Sequence, residues 1–311
     1  MRRLGFAVKV LGDGGLPSHD TRRWQSDPHL SRSLEHVDAI FDYLDRSDIR
    51  MYRFASALAP YASHPGMPRF HRQVADCGEE LGRCGERAAE LGIRLSFHPG
   101  QYTVLNSERA DVQAAAIADL ELQAAILDAM GLAAEAVVVI HVGGAGGGVQ
   151  AGLERFLAGW ERLSRPAQAR LVVENDDRTF DLAAALWLHE RTGIRIVWDA
   201  LHHRCHNPQK IPPAEALARA LDTWPADVVP KIHYSSPRLD VDVRRTREGR
   251  RVRERIVIPP LRAHADLVDP IAFEAFLAAV GPGREFDVML EAKAKDLALI
   301  ELRRRLAGAN S

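Results

Sequence analysis

Cysteine is scarce in this chain. Cys77, Cys84 and Cys205 are the only three among 311 residues. They are too few and too widely spaced for a secreted disulfide framework, and no two make a CxxC pair. Cys77 and Cys84 lie seven apart in an expected helix, on its inner face. A metal site would therefore rely on nitrogen and oxygen donors rather than thiolates. Net charge is also missing. Lys plus Arg number 41 against 42 Asp plus Glu, a formal charge of -1, which argues against a nonspecific nucleic-acid coat but leaves the distribution of charge open. No apolar run approaches the ~20 residues of a membrane span. The opening MRRLGFAVKV is basic, breaks at Lys9 and runs into LGDGG, so it lacks the apolar core of a signal peptide. There is no strong internal repeat or low-complexity tail. These absences predict a soluble, cytoplasmic protein.

What the chain does contain is a repeated alternation. Short apolar strands are expected at 4–8, 49–54, 93–97, 136–140, 171–173, 194–198, 228–232 and 287–290. Helical patterns fill 31–44, 74–91, 112–130, 153–163, 180–191, 213–221 and 293–306. Strands separated by helices predict a parallel sheet. Eight such units fit a closed TIM (β/α)8 barrel better than an open doubly wound sheet, and one barrel can occupy the whole length. The expected organisation is a single domain over residues 1–311, with a basic insertion around 239–258.

In such a barrel, functional residues gather at the carboxyl ends of the strands. The sequence has 13 histidines, and their placement matters more than their number. His98 follows RLSF, His141 follows VVVI, Glu174 follows LVV, Asp199 follows IVW, His233 ends the KI segment and Glu291 follows DVML. Any one of these is unremarkable as a buried or exposed polar residue. As a set on one face, joined by His202 and His264, they could hold two or three divalent ions. Mixed imidazole and carboxylate donors suit Mn²⁺ or Zn²⁺. A bridging carboxylate would keep two cations about 3.5–4 Å apart.

Seven words carry a resemblance to a known family: SFHPGQY at 96–102, VIHVGG at 139–144, VEND at 173–176, DALHH at 199–203, KIHYSSP at 231–237, HAD at 264–266 and MLEAK at 289–293. Their order across nearly the whole chain resembles the ultraviolet-damage endonucleases. More distantly, the chain is similar to three-metal apurinic endonuclease barrels and to metal-dependent sugar isomerases. The resemblance implies incision of damaged double-stranded DNA immediately 5′ to ultraviolet photoproducts (cyclobutane pyrimidine dimers and 6-4 photoproducts), with abasic sites as a further substrate. The products would carry 3′-hydroxyl and 5′-phosphate ends. It implies His64, His98, His141, Glu174, Asp199, His202, His233, His264 and Glu291 as ligands of two or three divalent ions, Mn²⁺ first, with Zn²⁺, Co²⁺ and Mg²⁺ as alternatives. No organic cofactor is implied, and the family acts as a monomer. Glu174 would bridge metals and serve catalysis. Lys231, two residues before His233, matches a family lysine that can be carboxylated; a salt bridge to a basin carboxylate is the other reading.

The same resemblance makes Gln101 and Tyr102 a lesion-probing pair, and a tyrosine ring can replace stacking lost at a damaged base. Phe6 stands where the family has tyrosine, and Val10 where asparagine is frequent. Phe6 can still stack but has no hydroxyl. The insertion RRTREGRRVRER at 244–255 holds Arg244, Arg245, Arg247, Arg250, Arg251, Arg253 and Arg255. It is expected either to grip phosphates on the catalytic face or to form a solvated hairpin turning at Gly249. Gly143, Gly144, Gly146, Gly147 and Gly148 after His141 form no Walker loop, since no GK[ST] follows. They make either a phosphate-approaching loop or a plain strand-to-helix exit. Asn175 and Asp176 are expected to position substrate or water. Two rival functions share the pattern: a sugar isomerase or epimerase with a small closed mouth, and a metal-stabilised DNA-binding module without chemistry.

Overall fold

The structure is a computed structural model and describes residues 3–248, 251–281 and 283–308. The barrel strands are β1 (Leu4–Ala7), β2 (Met51–Arg53), β3 (Arg94–Phe97), β4 (Val137–His141), β5 (Leu171–Glu174), β6 (Arg195–Val197) and β7 (Lys231–Tyr234). A hairpin, β8 (Asp242–Glu248) and β9 (Arg251–Val257), interrupts the series before the last barrel strand, β10 (Asp287–Leu290). The eight barrel strands pair in parallel in the order β6-β5-β4-β3-β2-β1-β10-β7. A parallel bridge from Asp199 to His233 closes the ring between β6 and β7, supported by the His233 N–H donating to the Trp198 carbonyl at 3.0 Å. The longer surrounding helices are α1 (Leu30–Arg46), α2 (Gln73–Asp76), α3 (Gly78–Glu90), α4 (Ala110–Ala129), α5 (Val149–Trp160), α6 (Arg165–Arg170) and α7 (Leu182–Thr192). They continue with α8 (Ala200–Cys205), α9 (Pro213–Leu221), α10 (Pro270–Val280) and α11 (Lys295–Gly308). This is a TIM-type (β/α)8 barrel. Among the described residues, no helix is long and apolar enough to cross a membrane.

Strand parity organises the interior. Successive side chains of a strand point to opposite faces. Leu4, Phe6, Tyr52, Leu95, Val138, Ile140, Val173, Ile196, Ile232 and Val288 join the large core beneath the helices. Their neighbours point inward. Ala7, Met51 and Met289 form one small apolar group inside the barrel, and Val137, Val139, Val172 and Val197 form another with Trp224. Below them, Arg94 donates to Asp287 at 2.9 Å, both fully buried, and Arg94 and Arg195 lie over the Trp224 ring at 5.6 and 4.8 Å. The same inward parity leads upward to His98, His141, Glu174, Asp199, His233 and Glu291 at the opposite end.

Two expectations shift. Pairing of the seventh strand begins at Lys231 rather than at 228. Pro230 offers no N–H for a ladder, and Val228 instead packs against the Trp224 group. Helix α10 has no counterpart in the expected pattern because IAFEAFLAAV is apolar nearly all round and shows no amphipathic stripe. Its start is nevertheless well made: Asp269 accepts the Ile271 and Ala272 N–H groups, and a proline stands in the first turn.

One buried carboxylate ties the first loop to the last helix. Asp296, fully buried in the first turn of α11, accepts the Leu11 and Gly12 N–H groups at 2.7 and 2.8 Å and the Tyr43 hydroxyl at 2.6 Å. Only glycine suits position 12, where an added Cβ would stand 2.7 Å from the Tyr43 hydroxyl. Removing one donor leaves a desolvated carboxylate short of a partner, a cost of about 1–3 kcal/mol. Tyr43→Phe is therefore expected to lower unfolding stability by that amount in urea titration, and an unchanged midpoint would refute the clamp.

Candidate metal centre

The site grows from the inward-facing ends of six strands. His141 closes β4 and Glu174 closes β5, and the two are register partners. His98 lies one residue beyond β3. Asp199 follows β6 as the N-cap of α8, accepting the His202 N–H at 2.7 Å, which sets His202 one turn later over the same basin. His233 lies within β7, beside Met289 of β10, and Glu291 follows that strand.

Glu174 stands at the hub and is fully buried. His98 Nε2 lies 3.0 Å and His141 Nε2 3.7 Å from one of its oxygens. His233 Nδ1 and His202 Nδ1 lie 3.1 and 3.3 Å from the other. His233 Nδ1 is also 3.4 Å from Glu291. Among the described residues three groups of donor atoms each fall within 4.8 Å of one another: His98, Glu174 and His233; His141, Glu174 and His202; and Glu174, Asp199, His233 and Glu291. Glu174 belongs to all three. His264 sits at the rim, with Nδ1 3.9 Å from Glu291 and its ring 6.2 Å from that of His202.

The donors fit divalent cations. Buried polar atoms lacking a hydrogen-bond partner include His141 Nδ1, Glu174 Oε1, Asp199 Oδ2 and both His233 nitrogens. Leaving such atoms unsatisfied is costly, and cations would satisfy the lone pairs. The second layer is already in place. His98 Nδ1–H donates to the Pro99 carbonyl at 3.0 Å, which leaves Nε2 as the lone-pair atom facing Glu174. Asn175 and Asp199 bond reciprocally through the Asn175 amide at 2.9 and 3.2 Å.

Without cations the charges compete. Burial raises the Glu174 carboxyl, but the imidazoles of His233, His141 and His202 outweigh it and hold the group well below the usual carboxylate range. Burial pushes Asp199 up to about 8, with Glu174 and Glu291 adding to the effect against His202. Burial lowers His202, but Asp199, Glu174 and Glu291 outweigh it and raise the imidazole to about 11. Burial takes His233 down to about 4 against the pull of Glu174 and Glu291. Ligation requires unprotonated donors, so metal uptake must expel protons.

Several predicted residues lie elsewhere. Phe6 is fully buried, its ring edge-on to Tyr52 at 5.5 Å. It sits on the outward parity of β1 and packs under the helices. Val10 is buried too, bridged to Leu16. His64 is exposed on the loop after β2, where its Nδ1 accepts the Gly66 N–H at 3.1 Å; the structure leaves it outside the basin. Lys231 is fully buried inside the barrel. Among the described residues its Nζ has no hydrogen-bond partner, so the salt bridge to a basin carboxylate is not formed. Burial, then Arg94 and Arg53, hold its pKa well below that of an ordinary lysine.

Gln101 and Tyr102 occupy the centre of a turn closed by the Thr103 N–H to the Gly100 carbonyl at 3.0 Å. Tyr102 is 81% exposed. Asp119 anchors the turn by accepting from Thr103 Oγ1 at 3.1 Å and from Ser63. The glycine run is a tight exit: Asn106 bonds both the N–H and the carbonyl of Gly144, and Gly148 caps α5. Asp176 accepts the Arg178 and Thr179 N–H groups and so shapes its own loop.

The arginine segment is an antiparallel hairpin. Val243 pairs with Ile256, Arg244 with Arg255, Arg245 with Glu254, Thr246 with Arg253, Arg247 with Val252 and Glu248 with Arg251. Arg245 Nε lies 2.7 Å from Glu254, while Arg247, Arg253 and Arg255 are exposed. Gly249 and Arg250 lie outside the described residues. Sequence reasoning missed Arg53, the inward residue ending β2, whose guanidinium donates to Glu291. An arginine following a short apolar strand was the available signal.

The family model described as "UV-endonuclease UvdE" matches residues 29–311. A UV DNA damage endonuclease of Bacillus cereus (strain B4264) is 32% identical over 275 residues, covering 88% of this chain and 80% of that protein. One from Bacillus pumilus is 34% identical over 257 residues, covering 82% and 74%. Among solved structures, SacUVDE superposes with a TM-score of 0.81 at 29% identity, covering 99% of both chains. A D-psicose 3-epimerase shares the fold, at TM-score 0.54 and 12% identity, over 99% and 98% of the two chains.

The unsatisfied donors predict a stability response to metal. Mn²⁺ at about a hundred times its Kd is expected to stabilise the fold by about 2.7 kcal/mol, read by calorimetry. The gain should shrink from pH 8 to pH 6, because protons compete for the imidazole and carboxylate donors, and Glu174→Gln should remove most of it. An equal gain in wild type and variant would sink the assignment.

Proposed function

The chain belongs to the UV-endonuclease UvdE family, and on that premise we propose that it is a metal-dependent DNA-repair endonuclease cutting the phosphodiester bond immediately 5′ to ultraviolet photoproducts. Abasic sites are a further substrate, the ends left are 3′-hydroxyl and 5′-phosphate, and the enzyme works as a cytoplasmic monomer with two or three divalent ions, Mn²⁺ foremost. The observation that carries this reading is Glu174, one buried carboxylate common to all three metal-sized donor groups.

His98, His141, Glu174, Asp199, His202, His233 and Glu291 would hold the ions, with His264 at the rim. Bound divalent cations supply Lewis-acid polarisation of the phosphoryl oxygens and ease the deprotonation of water. The protein's own part is positional. Glu174 keeps its two oxygens turned to different histidine pairs, and the inward parity of the strands fixes their distance. Lys231, buried and unpaired, is suited to carboxylation. Its neutral amine would add to carbon dioxide and release a proton, placing a carboxylate below His233. Tyr102 and Gln101 stand out from a braced turn, where a ring and an amide can fill the gap left by an unstacked lesion. The arginine hairpin supplies phosphate contacts that set register without reading sequence.

A sugar epimerase finds support only in the shared fold. A protruding hairpin rich in arginine and an exposed Tyr102 turn suit a polymer better than a small closed mouth.

Incision of an irradiated duplex, beside an undamaged duplex and a sugar panel, tests the reading directly. Glu174→Gln should retain binding to damaged duplex while losing incision, and Tyr102→Ala should lose its preference for damaged over undamaged duplex. Full incision by metal-loaded Glu174→Gln would overturn the catalytic assignment. Replacing Arg247, Arg253 and Arg255 together with alanine should reduce the slope of log Kd against log salt by about 2.7, and an unchanged slope would remove the hairpin from the DNA contact.

A further inference from the structure

Two lysines stand beside the basin in a setting the metal chemistry leaves unexplained. Lys9 follows β1 and is exposed; Lys295 opens α11 and is half-buried. The Asp296 clamp brings them together, since Asp296 adjoins Lys295 and binds the N–H groups of Leu11 and Gly12, just beyond Lys9.

The backbone at both places is strained. Among the described residues seven non-glycine residues have positive φ, and three of them are aspartates, which tolerate the left-handed region. Of the other four, Val8 (φ 68) immediately precedes Lys9, and the fourth is Lys295 itself (φ 53). Val8 is β-branched, so its conformation is a true outlier. It is held by three bonds: its N–H to the Arg53 carbonyl at 2.9 Å, its carbonyl from the Tyr52 hydroxyl at 2.6 Å, and the tight turn from the Lys9 N–H to the Ala7 carbonyl at 2.9 Å. Lys295 is fixed by its N–H to the Ala292 carbonyl at 3.2 Å. Strain of this kind persists where surrounding structure over-determines it, and it clusters at functional sites.

Charge supplies the second argument. Arg53 is committed to Glu291. Among the described residues, neither Lys9 nor Lys295 has an ion pair, whereas Lys293 reaches Asp266 at 4.0 Å. Burial lowers the pKa of Lys295, and Arg53 and Lys9 lower it further against the pull of Glu291. Gathering like charges at a half-buried rim is unfavourable in the free protein. An anion arriving there would relieve the repulsion.

We propose that Lys9 and Lys295 form a phosphate subsite at the rim of the metal basin, holding the DNA backbone beside the bond that is cut. The subsite rests on the endonuclease reading and extends it. β10 lies between β1 and β7 in the ring, so the lysine pair and the arginine hairpin after β7 are near neighbours around the mouth. One strand of DNA crossing that sector would meet both.

The test uses the full-length, Mn²⁺-loaded enzyme and a fluorescent duplex carrying one photoproduct, with Lys9→Ser, Lys295→Asn and the double variant. Asparagine accepts the left-handed backbone, so Lys295→Asn should keep or raise the thermal midpoint while weakening binding about three- to tenfold, as expected for one lost phosphate contact. Each single variant should reduce the slope of log Kd against log salt by about 0.9, and the double variant by about 1.8. Slopes unchanged in both single variants would overturn the subsite. So would a lower melting midpoint in Lys295→Asn, in step with its weakened binding, combined with no effect of Lys9→Ser, because that pattern marks a purely structural role. Wild-type enzyme that fails to cut irradiated duplex would instead overturn the endonuclease reading, and the slopes would still decide the lysines as a DNA contact.

Discussion

Glu174 has no contact with solvent, yet four imidazoles converge on its two oxygens. A buried carboxylate survives only when paired, and here the pairing sets the geometry of everything above the apolar layers. His141 is fixed by register across from it. Asp199 is fixed by capping α8 and by its reciprocal bonds to Asn175. His233 is fixed inside a fully buried strand. The donor set is therefore organised by backbone pairing, and cations would complete an arrangement whose scaffold already exists.

The rest of the barrel can be understood as support for that charge. Inward residues form three levels: an ionic floor of Arg94, Arg195, Asp287 and Lys231, a middle of valines and methionines, and the polar basin. Lys231 links the levels, acted on by Arg94 of the floor and by Arg53, Glu174 and Glu291 of the basin. Exposed loops stand at the same rim: the Tyr102 turn braced by Asp119, the arginine hairpin and the segment pinned by Asp296. The proposed function divides catalysis and recognition between rigid strand ends and exposed loop tips, as a scaffold presenting variable loops allows.

Much of this was legible in sequence. Apolar runs ending in His, Glu or Asp mark six basin residues at strand ends, because a barrel strand buries its whole length and can expose a polar side chain only where it stops. The placement of Phe6 was not legible for a related reason. An aromatic near the end of β1 is compatible with either face, and only the parity of the strand sends Phe6 beneath the helices. His64 followed a similar short strand, but its loop turns outward and the side chain satisfies itself on Gly66. Arg53 went unnoticed because a lone arginine after an apolar strand does not reveal which carboxylate it will meet.

The linear order of residues determined the alternation of strands and helices, the number of barrel units and the chemical nature of the donor set, since each depends on local periodicity and residue type. Tertiary structure alone decided which of those donors share Glu174, that Lys231 lies buried without a hydrogen-bond partner among the described residues, and that Asp296 pins the start of the last helix to the loop after β1. Those facts depend on ring closure and register. They bring together strands far apart in the chain, and no local pattern encodes the distance between such residues.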